Sequence, residues 1–289
     1  MSVRLSDPTF SLSLERFRLL RDHINRRFGI FFADGDRFLM ESRLSERLMQ
    51  LGVESFDDYY QHLLYHPNGE DETEQAAEIL TTNETYFFRE EYQLRSFAGE
   101  ILPALRERLA AKRRLLIWSA GCSSGEEAYT IAMLVRDSGL FDGWDVRIFG
   151  SDLSARMLAK ARRGVFGGGA FRTTPDELRR RHFTEIGGGA FRINDDVRSL
   201  CHFGRLNLLD EEKIVFVGRS DVVFCRNVLI YFDKRSKRKG INILYDRLND
   251  GGYLLLGHTE SLLNLSTAFE LVHLSEDLVY RRPEVSHGA

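Results

Sequence analysis

Apolar residues recur at helical spacing over residues 12–64, and turn-forming residues divide this stretch into short helices. A turn-forming and acidic run over residues 66–72 then interrupts the pattern and indicates a loop or a domain edge. We therefore predict a small all-helical amino-terminal domain over residues 1–80. Its apolar positions are Leu12, Phe17, Leu20, Ile24, Leu44, Leu48, Leu51, Phe56, Tyr60 and Leu64.

Strands and helices alternate after a further helical stretch over residues 92–111. This alternation is typical of a parallel sheet with helical crossovers, so we predict an α/β domain over residues 81–289. The predicted strands cover residues 114–119, 146–150, 221–225 and 253–256, and a final strand pair covers 269–273 and 278–282. The predicted helices cover residues 125–137, 154–163 and 234–248, with Gly251 and Gly252 closing the last helix.

Residues 164–203 do not follow the alternation. They contain two triple-glycine runs, 167–169 and 187–189, on either side of a short predicted helix over residues 174–182. We interpret the block as a small inserted subdomain with a turn at the second glycine run.

Composition narrows the class of protein only slightly. The chain has 289 residues and a net charge of −3, so it can bury a full core and offers no general basis for binding nucleic acid. Its apolar runs are shorter than the ~20 residues that a membrane helix needs, and its start does not resemble a signal peptide, so we expect a cytoplasmic protein without membrane insertion. Cys122, Cys201 and Cys225 are predicted to be buried free thiols, and no metal site is expected.

The segment 221–233 is the most informative part of the chain, because an apolar strand ends there on two polar residues, Arg226 and Asn227. Ligands of open α/β sheets bind at the carboxyl ends of the strands. The segment therefore indicates a site, although the pattern gives Arg226 no role.

Two further strand ends carry candidate chemistry. The first strand leads into a glycine loop, residues 118–127, which has neither the dinucleotide nor the P-loop spacing and ends in Glu126 and Glu127. These glutamates favour a cationic or amine-bearing ligand, or they serve only the dipole of the following helix. The second strand ends at Asp152, which suits ribose hydroxyls or else caps the next helix.

Glu127, Asp152 and Asn227 are expected to lie at the ends of neighbouring strands, which indicates a nucleoside cofactor site. The acidic residues and the missing pyrophosphate motif favour S-adenosylmethionine, whose methionine part carries an ammonium and a sulfonium.

Five ordered motifs resemble the chemotaxis receptor glutamate O-methyltransferase family, CheR: TTNETYFFRE, WSAGCSSGEEAYTIA, FGSDLS, FGRLNLL and FCRNVLIYFDK. The resemblance implies a Rossmann-like S-adenosylmethionine-dependent methyltransferase sheet with a small inserted β-subdomain and an all-α amino-terminal domain. It further implies methyl transfer from S-adenosylmethionine, with S-adenosylhomocysteine as product, to glutamates in the helical cytoplasmic bundle of chemoreceptors.

The same resemblance assigns site residues. Arg89 and Tyr231 are assigned to catalysis: Tyr231 beside the transferring methyl, and Arg89 to orient the acceptor or the tyrosine, unless it forms only a surface ion pair with Glu90 or Glu91. Asp152 would hold the ribose, and Asn207 and Leu208 would approach the adenine. The positions that match cofactor contacts in the family are Asn83, Thr85, Arg89, Glu127, Asp152, Asn207, Leu208, Asn227 and Val228.

The match to the family is weaker on two surfaces that would meet the receptor. On the predicted helix 37–51, Arg43 and Arg47 form one positive stripe that is assigned to receptor binding, but Glu46 and Met49 make this face less basic than in some relatives. The loop 186–190 is shorter than the loop with which some relatives grip a receptor's carboxyl-terminal pentapeptide, which argues against a tether.

Two other functions remain open on the residues alone. One is a methyltransferase of the same fold that acts on another carboxylate or protein, and the other is a non-catalytic adaptor that keeps the cofactor pocket as structure.

Overall fold

The computed structural model describes residues 10–284, and the chain divides into two compact units at Thr82 and Asn83. Within residues 10–284, no helix combines the length and the apolar character needed to cross a membrane. In the same range no group of His, Cys, Asp and Glu side chains could hold a metal ion. The three cysteines are free and buried, as predicted, and burial raises the pKa of each thiol.

The amino-terminal unit contains helices α1 (Leu14–Phe28), α2 (Arg37–Leu51), α3 (Phe56–Tyr65) and α4 (Gly69–Leu80). The Ser13 hydroxyl accepts a hydrogen bond from the Arg16 amide at the start of α1, and Gly29 ends this helix in the left-handed region at φ 72°. The apolar stripes of the helices meet in one core, where each buried side chain contributes about 1.5–3 kcal/mol. This core is formed by Phe17, Leu20, Ile24, Met40, Leu44, Leu48, Phe56, Tyr59 and Leu63.

A loop or a domain edge was predicted over residues 66–72, and this prediction was wrong for residues 69–72, because α4 begins at Gly69. The turn itself is short, and α3 ends at Tyr65. Gly69 is required there, since a Cβ at this position would lie 2.5 Å from the carbonyl oxygen of Leu63. The three acidic residues that follow Gly69 occupy the first turn of α4, where the helix dipole stabilises negative charge.

The second unit is built on a sheet whose described strands have the order β6-β2-β1-β7-β8-β10-β9. Its first five members are parallel, and β10 is antiparallel to both β8 and β9. The strands are β1 (Arg114–Ala120), β2 (Asp145–Asp152), β6 (Cys201–Arg205), β7 (Ser220–Cys225), β8 (Leu248–Leu256), β9 (Glu270–His273) and β10 (Leu278–Arg281).

Helices cover both faces of this sheet, which confirms the predicted α/β class of this unit. Strand β7 is buried along its whole length: Val222 and Phe224 belong to one apolar cluster, and Val223 and Cys225 belong to the cluster on the opposite face. The helices are α5 (Glu91–Ser96), α6 (Leu102–Arg108), α7 (Glu126–Asp137), α8 (Ala155–Arg163), α9 (Asp176–His182), α10 (Asp195–Arg198), α11 (Glu211–Ile214) and α12 (Lys234–Asp246). A π-helical turn, Phe97–Ile101, joins α5 to α6.

The inserted segment carries a small antiparallel sheet of β3 (Val165–Gly167), β4 (Phe183–Gly187) and β5 (Ala190–Ile193), in the order β3-β5-β4. The turn predicted at the second glycine run is confirmed: Gly187 ends β4, Gly188 and Gly189 connect it to β5, and all three have positive φ. The end of the predicted insertion was wrong, because residues 201–205 form β6, which pairs with β2 in the large sheet.

Helix α12 ends at Asp246, and Gly251 and Gly252 lie inside β8, so the prediction that these glycines close the helix was wrong. They lie where the pairing of β7 with β8 shifts register between Ser220 and Val222. A Cβ at position 252 would come within 2.8 Å of the Asn249 carbonyl oxygen and 3.0 Å of the Asp221 carbonyl oxygen. The glycines therefore allow a bulge in the strand.

Candidate functional site

The carboxyl ends of five neighbouring strands form one edge of the large sheet. Ala120 of β1 lies opposite Ser151 of β2, and Cys225 of β7 lies opposite Leu256 of β8. Asp152 of β2 lies opposite Arg205 of β6. In an open α/β sheet this edge is where ligands bind, and every residue predicted for the cofactor follows one of these strands or lies in the segment 83–90.

The glycine loop after β1 is held close to the end of β2. The backbone amides of Gly121 and Cys122 both donate to the carbonyl oxygen of Ser151, at 2.8 and 2.9 Å. Gly121 has φ 81°, and a Cβ there would lie 2.3 Å from Cγ2 of Val228. The missing side chain thus allows the predicted cofactor residue Val228 to pack against the loop.

Asp152 joins this loop to the start of α8. One carboxylate oxygen accepts from the Ser123 amide at 2.8 Å, and the other accepts from the Ser154 amide at 2.8 Å. Ser154 itself caps α8 through its hydroxyl, so capping is not the main role of Asp152. The partly buried carboxylate is fixed at the strand end, where the sequence placed a ribose contact.

Asn227 has φ 58°, a left-handed conformation that asparagine adopts more readily than most other non-glycine residues. Its amide donates to a carboxylate oxygen of Glu260 at 2.7 Å, and Glu260 also accepts from the amides of Gly257 at 2.8 Å and Ile230 at 3.1 Å. Burial raises the pKa of Glu260, and these backbone donors oppose the rise. Sequence reasoning missed Glu260, whose only signal was an acidic residue just past the end of a buried strand.

Asn207 and Leu208 follow β6. The Asn207 side-chain oxygen accepts from the Leu209 amide at 3.0 Å, which shapes a turn, and the Leu208 side chain is buried in the core. The side chain of Leu208 therefore serves packing, and any cofactor contact would come from its backbone or its exposed edge.

The segment 83–90 lies beside the glycine loop. The Ser123 hydroxyl donates to the Asn83 carbonyl oxygen at 3.4 Å, and Thr85 is partly buried. Phe88 and Glu90 have φ 59° and 57°, so the two neighbours of Arg89 are both left-handed. Strained backbone of this kind persists only where the surroundings hold it, and it concentrates at functional sites.

Arg226, to which the sequence analysis assigns no role, helps to keep this strained segment in place. Its side chain is 3% exposed, and it donates to Glu127 at 3.4 Å, to Glu90 at 3.1 Å and to the Arg89 carbonyl oxygen at 2.5 Å. Its Nε has no hydrogen-bond partner. Arg226 therefore connects β7, the first turn of α7 and the segment that carries Arg89.

Glu127 is the acidic group at the centre of this arrangement. Its side chain is 15% exposed, and its other oxygen accepts from the Ser119 hydroxyl at 2.6 Å. Burial raises the pKa of Glu127, while Arg226 and the Ser119 hydrogen bond act in the opposite direction. A buried carboxylate held in this way is suited to bind a cationic group, because an ion pair offsets the cost of its burial.

The two residues assigned to catalysis differ in their surroundings. Arg89 donates to the Glu84 carbonyl oxygen at 3.0 Å and lies over the Tyr86 ring at 5.8 Å. The alternative of an ion pair with Glu90 or Glu91 was wrong, because Glu90 pairs with Arg226 and Glu91 pairs with Arg95. Tyr231 is the last residue of a 3-10 turn, Leu229–Tyr231, and is partly buried.

Arg43 and Arg47, predicted for receptor binding, both make contacts inside the amino-terminal unit. Arg43 donates to the Leu80 carbonyl oxygen at 2.5 Å and to the Thr82 hydroxyl at 3.1 Å. Arg47 forms a forked ion pair with Glu72, which is 4% exposed. Both side chains thus make contacts within their own unit, and their assignment to receptor binding stays a prediction.

The polar groups along the sheet edge fit a nucleoside that carries an amine. Carboxylates of Glu127 and Asp152 offer acceptors for ammonium and hydroxyl groups, and the Gly121 turn brings backbone and Val228 close together. The buried charge is anionic at the loop, which disfavours a pyrophosphate there.

Comparison with protein families gives two matches in chain order. Residues 15–81 match the CheR methyltransferase all-alpha domain, and residues 83–278 match the CheR methyltransferase SAM binding domain. The second match confirms S-adenosylmethionine as the cofactor.

Curated relatives cover nearly the whole chain. A chemotaxis protein methyltransferase of Vibrio parahaemolyticus is 36% identical over 277 residues, which are 94% of this chain and 98% of the relative. Chemotaxis protein methyltransferase 1 of Pseudomonas aeruginosa is 35% identical over 92% of this chain and 97% of the relative. Among solved structures, the N-methyltransferase NodS of Bradyrhizobium japonicum with S-adenosylhomocysteine is 16% identical, covers 64% of this chain and 87% of its own, and has a TM-score of 0.37.

Proposed function

Because the chain belongs to the CheR methyltransferase family, we propose that it transfers the methyl group of S-adenosylmethionine to glutamate side chains of chemoreceptor cytoplasmic domains. The product would be a glutamate methyl ester that adjusts receptor signalling. The family match and the curated chemotaxis relatives support the chemoreceptor as substrate, and the geometry of the sheet edge supports the reaction. The observation that carries the proposal is that Glu127, Asp152 and Asn227 lie at or shortly after the carboxyl ends of the neighbouring strands β1, β2 and β7, and that Tyr231 follows Asn227 in the same segment.

When bound, the cofactor supplies an electrophilic methyl group on a sulfonium. Glu127 is suited to hold the ammonium of the cofactor's methionine part, and Asp152 is suited to hold the ribose hydroxyls. Asn207 and Leu208 are suited to approach the adenine, and Asn83, Thr85, Asn227 and Val228 would supply further contacts to the cofactor.

A glutamate acceptor explains why the site can work without a general base. The acceptor is ionised near neutral pH, so the protein only has to align it with the methyl group and exclude water. Alignment can lower the barrier by about 7 kcal/mol or more. Arg89 is suited to orient the acceptor carboxylate or Tyr231, and Tyr231 is suited to line the path of the methyl group.

Methylation of chemoreceptor cytoplasmic fragments with tritiated cofactor tests the proposal. Label that is released as methanol by mild base identifies a glutamate methyl ester, whereas base-stable label indicates a different acceptor atom. Label on other cell proteins but not on receptor fragments would favour a methyltransferase with another protein substrate. Cofactor binding without any transfer would favour an adaptor.

Asp152→Ala tests the cofactor site separately. We expect the affinity for S-adenosylhomocysteine, measured by calorimetric titration, to fall by about 100-fold, since charged hydrogen bonds contribute about 1.5–3 kcal/mol. The loop also loses two backbone contacts, so the unfolding temperature serves as a control for the fold. Unchanged affinity in the folded variant would remove Asp152 from the cofactor site.

A further inference from the structure

A basic and apolar surface is formed by side chains close to Tyr231 in the chain and on an adjacent loop, and none of these side chains belongs to the site described above. It consists of Lys234, Arg235 and Arg238 on the first turns of α12, together with Ile230 and Leu263 on two adjacent loops. All five residues are exposed, Ile230 by 43% and Leu263 by 77%. We call this set the rim surface.

Two contacts join the loops and the helix into one surface. The Ile230 amide donates to Glu260 at 3.1 Å, which links the first loop to residues 257–264. Arg238 donates to the Asn264 carbonyl oxygen at 3.5 Å, which links those residues to α12. Beneath the surface, Leu229, Ile241 and Leu262 belong to one buried cluster, so the fold fixes the positions of the outer residues.

The charge of this surface is not neutralised by the residues around it. Within the described residues Lys234 and Arg235 form no ion pair, whereas the neighbouring Lys239 pairs with Glu211 at 2.9 Å. Of the nearby acidic groups, Asp233 caps α12 and Glu260 binds backbone amides. Basic residues in the first turn of a helix oppose its dipole, at a cost of about 0.3–1 kcal/mol each. The arrangement does not improve the stability of the helix.

The charge also contrasts with the rest of the chain. The whole chain has a net charge of −3, yet the six residues 234–239 contain five basic ones. A cluster of this sign steers and retains an acidic partner. Exposed leucine and isoleucine next to it add an apolar contact of the kind that a helical segment with mixed acidic and apolar residues would cover.

We propose that the rim surface docks an acidic, amphipathic helical segment of the methylated protein and so presents its glutamate to Tyr231. This inference rests on the proposed function, because it identifies where the catalytic unit grips the same substrate. Tyr231 lies only three residues before Lys234, so residues one or two helical turns from the acceptor glutamate would lie over the rim surface. Their acidic groups would meet Lys234, Arg235 and Arg238.

The test replaces three charges at once, as Lys234→Gln, Arg235→Gln and Arg238→Gln, in the full chain. We expect the KM for a chemoreceptor cytoplasmic fragment to rise about tenfold, from the loss of three exposed charge pairs, while kcat changes less than about twofold. The rise of KM with salt concentration should become shallower in the variant. Affinity for S-adenosylhomocysteine and the unfolding temperature should stay unchanged.

A matched control removes the same charge at the opposite edge of the sheet, through Lys112→Gln, Arg114→Gln and Arg219→Gln. These residues are exposed and precede or begin β1 and β7. The control should keep the KM and salt dependence of the unaltered chain. Leu263→Ser should raise KM about threefold and keep the salt dependence, since it removes only apolar contact.

The outcomes separate this inference from the proposed function. If the unaltered chain does not methylate the receptor fragment, the proposed function fails. If it does, and the rim variant keeps the KM and salt dependence, the rim surface does not dock the substrate. Loss of binding to phosphatidylglycerol vesicles with unchanged KM would assign the surface to a membrane and overturn the inference. If the triple variant does not fold, Arg235→Gln and Leu263→Ser singly give the same tests.

Discussion

Each unit of the protein contains a largely buried arginine bonded to glutamate, and the two clusters differ in how completely they are satisfied. In the amino-terminal unit, Arg47 forks onto Glu72, which also accepts from the Tyr59 hydroxyl at 2.8 Å. In the catalytic unit, Arg226 reaches Glu90 and Glu127 at 3.1 and 3.4 Å, and its Nε has no partner.

The backbone around the two clusters differs as well. Arg47 and Glu72 lie within regular helices, α2 and α4. Arg226 binds the carbonyl oxygen of Arg89, whose two neighbours Phe88 and Glu90 have left-handed φ, and Asn227, the next residue after Arg226, is left-handed as well. The first cluster has the closed geometry of a structural ion pair, and the second holds strained segments around a carboxylate suited to a ligand. Identical residue types thus serve stability in one unit and positioning in the other.

The largest expected effect follows from Arg226→Met. Without the arginine, the pKa of Glu127 rises further above its ordinary value, because Arg226 is the main group that lowers it. An ammonium binds the ionised carboxylate, so we expect affinity for S-adenosylhomocysteine at neutral pH to fall about 100-fold. The acid side of the affinity profile should shift to higher pH, measured by titration calorimetry across a pH series.

Stability of this variant should vary with pH in the direction set by linkage. A carboxyl group whose folded pKa is raised contributes stability below its unfolded pKa and loses it as pH rises through the folded pKa. The stability deficit of Arg226→Met should therefore be smallest in acid and grow towards neutral pH. A deficit independent of pH, with unchanged affinity, would mean that Arg226 does not act through Glu127.

Arg47→Met should reduce the stability of its unit and leave cofactor affinity unchanged. Removing one partner leaves the Glu72 carboxylate buried beside Tyr59, so we expect a loss of about 3 kcal/mol in the free energy of unfolding of this unit. Affinity for S-adenosylhomocysteine should not change. Denaturant unfolding of Arg47→Met, compared with Arg47→Met combined with Glu72→Met, measures this, because the double variant should recover most of the loss. A variant of normal stability would show that this pair is no stronger than a surface pair.

Sequence reasoning found the strand ends and missed what holds them together. The buried run 222–225 and the acidic residue after β2 are local patterns, which is why the fold and the positions of Asp152 and Asn227 could be predicted. Arg226 and Glu260 act through partners that are distant in sequence. Glu90 lies 136 residues from Arg226, and Asn227 lies 33 residues from Glu260. Edge strand β6 was missed because its polar sequence, with His202 and Arg205, lacks the apolar run of a central strand.

Glu260→Gln tests a second residue that positions backbone of the site, for comparison with Arg226. The amide of glutamine offers one acceptor oxygen, whereas the carboxylate accepts from three backbone amides. We expect the unfolding free energy to fall by about 1–2 kcal/mol and kcat/KM for receptor methylation to fall about tenfold. Glu270→Gln, which breaks only the exposed pair with Arg281, is the matched control and should change neither value appreciably. Equal behaviour of the two variants would remove Glu260 from the group that holds Asn227.

Arg89→Ala tests orientation of the acceptor separately from cofactor affinity, on which we expect only a small effect. The backbone of residue 89 is held by Arg226, so truncation of the side chain leaves the segment in place. Because the guanidinium is suited to orient the acceptor, we expect kcat to fall about tenfold while affinity for S-adenosylhomocysteine changes less than about twofold. Single-turnover methylation and calorimetric titration measure the two quantities.

Arg172→Ala is the control, since Arg172 lies 3.8 Å from the centre of the Tyr86 ring and binds Glu84 without belonging to the catalytic assignment. Equal losses of kcat and affinity in Arg89→Ala would make Arg89 a cofactor contact alone, and the strained segment would then serve the cofactor and not the acceptor.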